Sequence, residues 1–77
     1  MSPAQTAVTA VLTQKFEVSP ESIRPEVTLG GLDLDSLVLA ELALALQEEL
    51  GVPVQEDEAA RHSTVGELVA VLNAKRA

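Results

Sequence analysis

The chain has 77 residues, a net charge of −7, 47% hydrophobic residues and no cysteine. That is the length of one small domain, with no disulfide and no thiolate metal site, and its acidity argues against a nucleic-acid ligand, which calls for a basic face. No apolar run approaches the roughly 20 residues of a membrane span, and the start lacks the basic and apolar regions of a signal peptide, so a soluble cytoplasmic protein is expected.

The first helix begins at Ser2-Pro3-Ala4-Gln5. Ser2 is suited to the N-cap, Pro3 to the first helical position and Gln5 to closing a capping box. Ala4, Val8, Val11, Leu12 and Phe16 recur at helical spacing, which carries the helix to about Phe16 with one apolar face. Phe16 is the only aromatic residue, so the core is built from aliphatic side chains. Residues 17–35 read as a long connection. Ser19-Pro20-Glu21-Ser22 forms one capped turn, Ile23 and Val27 are the expected core anchors, Pro25 disfavours helix at Arg24, and Gly30-Gly31 breaks structure again. Connections this long are uncommon in compact domains and are often functional.

This one ends at Leu32-Asp33-Leu34-Asp35-Ser36-Leu37. A second helix is expected from Ser36 to Leu50, stopped by Gly51 with Pro53 beyond. Ser36 thus stands at a helix N-terminus, where backbone N–H groups and the helix dipole favour negative charge, and its hydroxyl is a candidate point for attaching a phosphate. At 100° per residue, Leu39, Leu42, Ala43, Leu46 and Leu50 share a core face. Ser36, Leu37, Ala40, Glu41, Leu44, Gln47 and Glu48 fall on another. Leu37 and Leu44 flanked by Glu41 and Glu48 suggest a docking stripe, although chance exposure or core spill-over gives the same pattern. From Asp33 to Glu58 there are eight acids and no Lys or Arg. Such a run is commonly a solvated face; beside Ser36 it also suits partners with basic patches.

Glu56-Asp57-Glu58-Ala59-Ala60-Arg61 suggests a short helix with its acids at the N-terminal end. Ser63-Thr64 caps the last helix, and Thr64-Val65-Gly66-Glu67 is a capping box. Val65, Leu68, Val69 and Leu72 form its apolar stripe, and Lys75 and Arg76 suit its C-terminal end. With no strand pattern, the expectation is one all-α domain over residues 1–77, a small four-helix bundle of three longer helices and one short helix.

Reactive groups are few. His62 is a loop residue before a cap. Gly30-Gly31 lacks the spacing and lysine of a nucleotide-binding loop. A calcium loop beginning at Asp33 would have Val38 and Leu44 where a turn glycine and a final glutamate are required. No catalytic constellation and no dedicated metal site emerge.

Asp35-Ser36-Leu37, followed by the helix that ends at Leu50-Gly51-Val52, resembles the phosphopantetheine-attachment segment of acyl carrier proteins. Phe16–Ile23 is similar to the close of their first helix, Leu29 and Leu32 to loop positions before the motif, and Thr64–Val69 to the start of their last helix. The resemblance implies a non-catalytic carrier with the fold of that family. A phosphopantetheinyl transferase using coenzyme A and magnesium would attach 4′-phosphopantetheine to Ser36, and acyl groups would ride on its thiol as thioesters. It implies docking through Asp35, Glu41 and Glu48, with Glu56 and Asp57 nearby, onto basic patches of acyltransferases or acyl ligases, ketosynthases and other biosynthetic enzymes; Leu37 and Leu44 join that face from the helix pattern, Gln47 lies on it, and a monomer is expected. Gln47 stands where an acid is common, Asp33 where glycine is frequent, and Val38-Leu39 is more apolar than the usual pair. These departures tilt the expectation from fatty-acid synthesis toward polyketide or other specialised biosynthesis. An aminoacyl or peptidyl carrier and a helical adaptor without a prosthetic group are the alternatives. The resemblance also allows for cargo folding into a core of Leu39, Leu42, Ala43, Leu46, Val65 and Leu68.

Overall fold

A computed structural model of the chain describes residues 2–76, leaving aside the side chain of Glu56. Three α-helices, α1 (Pro3–Lys15), α2 (Ser36–Leu50) and α3 (Val65–Arg76), pack around one aliphatic core. Among the described residues there is no strand, only an isolated antiparallel bridge between Thr28 and Thr64. The expected fourth helix is corrected: Glu56–Ala59 is a single 3₁₀ turn, and residues 60–64 turn back toward α3. The segment Glu56–Arg61 is too short to propagate an α-helix by itself. Its turn buries Ala59 against α2 and α3 instead.

α1 opens as its sequence dictates. The Ser2 hydroxyl accepts the Gln5 N–H at 3.1 Å, and Pro3 occupies the first turn. Ala4, Ala7, Val8, Val11 and Leu12 are buried. Beyond Lys15 the chain reverses through Glu17, whose φ of 56° is left-handed. That conformation costs an L-residue roughly 1–2 kcal/mol; here the Val18 N–H returns to the Leu12 carbonyl at 2.9 Å.

α2 has the expected bounds. Gly51, at φ 69°, stops it and donates its N–H to the Gln47 carbonyl at 2.8 Å. Leu39, Leu42, Ala43 and Leu46 are buried as expected, Ala45 joins them, and Leu50 is half-buried at the core edge. Fully burying a leucine contributes about 1.5–3 kcal/mol relative to exposure, so this face fixes the rotation of α2 about its axis. At the far end, the Arg76 guanidinium donates to the Leu50 carbonyl at 3.2 Å, a favourable place for a cation.

The long connection differs most from expectation. Pro20–Ser22 is a turn, as expected, and Gly30–Leu32, rather than breaking structure, forms a second 3₁₀ turn. Ile23 packs against the core, but Val27 engages through its backbone, and the buried anchors are Leu29 and Leu34. Four backbone hydrogen bonds stitch the connection to the approach and first turn of α3. Leu29 N–H donates to the Ser63 carbonyl (2.9 Å), Gly30 N–H to Arg61 (2.9 Å), Val65 N–H to Val27 (2.9 Å) and Gly66 N–H to Pro25 (3.0 Å). Two glycines permit the approach. A Cβ at Gly30 would lie 3.1 Å from the Arg61 carbonyl oxygen, and one at Gly66 would lie 3.1 Å from that of Pro25.

The α3 capping box is complete: Glu67 N–H donates to the Thr64 hydroxyl (3.0 Å) and Thr64 N–H to the Glu67 carboxylate (2.8 Å). The Gln55 N–H donates similarly to the Glu58 carboxylate at 2.7 Å, and Lys75 pairs with Glu58 at 3.1 Å. Both carboxyls are held below the ordinary glutamate range, Glu67 chiefly by the Thr64 N–H and Glu58 chiefly by the Gln55 N–H, with Lys75 adding to the latter. A lowered carboxyl pKa contributes stability that is fully present above the unfolded value of about 4.3 and is lost as pH falls through the folded value. The Glu58→Gln/Glu67→Gln double variant is therefore expected to be less stable at neutral pH. It is also expected to lose less stability than the parent between roughly pH 5 and pH 3. Urea unfolding across that range checks this; parallel pH profiles would contradict it.

Candidate functional site

The site is the junction where the stitched connection meets α2. After the Gly30–Leu32 turn, Asp33 adopts a left-handed conformation (φ 63°, ψ 29°). Aspartate tolerates this conformation better than most residues, and glycine best of all. Leu34 then drops into the core. Asp35 turns extended (φ −83°, ψ 177°) as the N-cap of α2. Its carboxylate accepts the Val38 N–H at 2.9 Å and its carbonyl accepts the Leu39 N–H at 2.9 Å. Ser36 is consequently the first residue of α2, and it is exposed.

Anchored on one side by Leu34 and on the other by Leu39, Ser36 has little freedom of position. It borders an open groove of ≈ 320 Å³ whose walls include Leu39, Ala40, Ala59, Ala60 and Arg61. The far wall comes from the turn at Glu56–Ala59 and the residues after it; the sequence brought Glu56 and Asp57 to the docking face, but not Ala59, Ala60 or Arg61 to the serine. One signal was available: Arg61 is the only Lys or Arg between residues 25 and 74.

The other expected site residues lie as follows. Leu37 and Leu44 are 70% and 60% exposed, which rules out core spill-over, because that would have buried them. Glu41 and Glu48 are exposed, and with Leu44 they border a shallow groove beside Lys15 and Phe16. Gln47 is exposed too, but its side-chain carbonyl accepts the Val54 N–H at 3.2 Å. It thus holds the loop after α2, a task at this position that the helix pattern did not indicate. Asp57 is exposed on the wall of the Ser36 groove, and the Glu56 side chain lies outside the described residues. His62 is exposed in the turn before α3.

Residues 6–72 match the family model described as "Phosphopantetheine attachment site". The chain belongs to the phosphopantetheine-attachment family of acyl carrier proteins. It is 37% identical to an acyl carrier protein of Thermosynechococcus vestitus over 88% of this chain and 85% of that one. It is 33% identical to one of Picosynechococcus over 84% and 82%, and 31% identical to one of Helicobacter hepaticus over 91% and 93%. Members of this family are non-catalytic carriers with covalently attached 4′-phosphopantetheine. The residues at the α2 start suit that group: Ser36 offers an exposed primary hydroxyl, the kind of oxygen a phosphodiester link requires, and the adjoining groove offers apolar walls and one guanidinium.

The cap has its own energetic role, because Asp35 satisfies a first-turn N–H that otherwise lacks a helical partner. Replacing Asp35 with Ala is expected to cost about 0.5–2 kcal/mol, while Asp35→Asn retains most of the cap. Urea denaturation of the two variants checks this, and equal stabilities for Asp35→Ala and the parent would contradict it.

Proposed function

We propose that Ser36 is the attachment point of 4′-phosphopantetheine, and that the protein carries acyl groups as thioesters on that arm between separate enzymes. The observation that carries the reading is Ser36 itself: exposed, first in α2, immediately after the Asp35 cap, and inside the family-matched segment. The attaching step is a phosphoryl-type transfer from coenzyme A. The Ser36 Oγ–phosphorus bond forms, the pyrophosphate bond to adenosine 3′,5′-bisphosphate breaks, and the hydroxyl proton leaves to a base of the phosphopantetheinyl transferase. Magnesium belongs to that enzyme. The thiol absent from a cysteine-free chain comes with the arm.

Partner enzymes dock on the exposed face of α2 in this reading. Leu37 and Leu44 supply apolar contact, and Asp35, Glu41 and Glu48, with Asp57 and Glu56 nearby, supply charge for basic patches. Gln47 retunes that face rather than adding charge. Acyltransferases, acyl ligases and ketosynthases are the expected enzyme classes, and the carrier acts as a monomer in the cytoplasm. The apolar Val38-Leu39 pair and the Ala/Val/Leu-rich composition favour polyketide or other specialised biosynthesis over fatty-acid synthesis. The relatives' shared name, acyl carrier protein, favours acyl cargo over aminoacyl cargo. Leu42, Leu46 and Leu68 are fully buried, so cargo that entered the core would have to part them.

Intact-protein mass after incubation with coenzyme A, magnesium and a broad-specificity phosphopantetheinyl transferase tests the attachment point. The parent is expected to gain one phosphopantetheine and Ser36→Ala none; equal loading of both would overturn it. Reversing Glu41 and Glu48 to Lys tests the docking face. Helical circular dichroism is expected to persist while transfer to a partner enzyme slows at least tenfold at low salt, with the difference shrinking as salt rises. Unchanged kinetics in a folded variant would rule that face out.

A further inference from the structure

Two grooves open beside the start of α2, and they differ in charge. The larger, ≈ 440 Å³, runs past Phe16, Val18, Leu32 and Val38 and carries the carboxylates of Glu17 and Asp33 with no Lys or Arg. The smaller, ≈ 320 Å³, contains Ser36 and carries Asp57 and Arg61. Arg61 is held at its backbone, where its carbonyl accepts the Gly30 N–H at 2.9 Å. Its side chain crosses the face of Gly30: a Cβ added there would lie 3.4 Å from both Arg61 Cβ and Nε. The arginine stem thus lies at van der Waals distance from position 30, while the tighter backbone contact, 3.1 Å to the Arg61 carbonyl oxygen, is what glycine there eases. Among the described residues Arg61 forms no ion pair.

A phosphodiester on the Ser36 oxygen is a permanent anion. The acidic groove repels it, whereas a planar guanidinium with several N–H donors is the side chain best matched to phosphate oxygens. We propose that Arg61 is a positioning residue for the prosthetic arm: its guanidinium pairs with the phosphodiester at Ser36 and lays the arm into the groove between α2 and the Ala59-Ala60 wall. This rests on Ser36 being the attachment point. The walls formed by Leu39, Ala40, Ala59 and Ala60 suit the methyl-bearing carbon that follows the phosphate in the arm. An exposed ion pair biases a population rather than locking one geometry, so the arm stays available to partner enzymes.

The test compares ¹H–¹⁵N spectra of unloaded and loaded protein for the parent, Arg61→Gln and Arg61→Lys, with loading verified by intact mass. Ala59 and Ala60 report well because they are remote from Ser36 in sequence. In the parent, loading is expected to shift the Ala59 and Ala60 amides and the Arg61 Nε–H. In Arg61→Gln the Ala59 and Ala60 shifts fall at least twofold, and Arg61→Lys restores part of them. Equal shifts in the loaded parent and loaded Arg61→Gln would overturn the proposal, as would an unmoved Arg61 Nε–H in the loaded parent, a reading that needs no variant. Failure of the parent to gain mass would remove the Ser36 assignment itself and this inference with it.

Discussion

The structure depends on the four backbone hydrogen bonds that tie residues 25–30 to residues 61–66. A connection of this length without partners would leave backbone groups to water and pay the entropy of ordering with little return. Here it has partners, two glycines that let the backbones meet, and Leu29 and Leu34 buried along its course. The same stitch performs two tasks. It fixes the approach to Ser36, and it brings Arg61 across Gly30 to the groove beside that serine. The elements on either side of the site are therefore set by one set of contacts.

From that constraint the division of labour in α2 follows. Its inner face is committed to the core by Leu39, Leu42, Ala43 and Leu46, so its outer face is free to serve other molecules. Exposing Leu37 and Leu44 forgoes burial worth about 1.5–3 kcal/mol apiece. The surrounding carboxylates keep that apolar surface hydrated and give it a sign. The proposed attachment point and the proposed docking stripe share one helix, so on that reading the arm and the docking surface present themselves to a partner together.

Much of this was legible in the sequence, for local reasons. Helix ends were readable because their signals are short-range: Ser2 with Gln5, Gly51 after Leu50, and Thr64 with Glu67 each act within a few residues. The inward face of α2 was readable because helical periodicity survives packing. What stayed hidden depends on contacts remote in sequence. Val27 looked like a core anchor by hydrophobicity, yet its carbonyl receives the Val65 N–H. Gln47 looked like one more surface position, yet it holds Val54. The stretch Glu56–Arg61 carried helix-favouring residues, but it closes as a 3₁₀ turn that buries Ala59. Its arginine reaches the site only through the fold.

Native-state amide hydrogen exchange at Leu29, Gly30, Val65 and Gly66 tests most directly whether the connection is a held structure rather than a tether. These four N–H groups form the stitch. The account predicts protection approaching that of the α2 amides at Leu42 and Leu46, because opening the stitch requires undocking buried Leu29 and the start of α3. Exchange at the rate of an unstructured loop, with α2 still protected, would contradict it: Ser36 would then hang on a flexible segment, and the placement of Arg61 beside it would lose its structural basis.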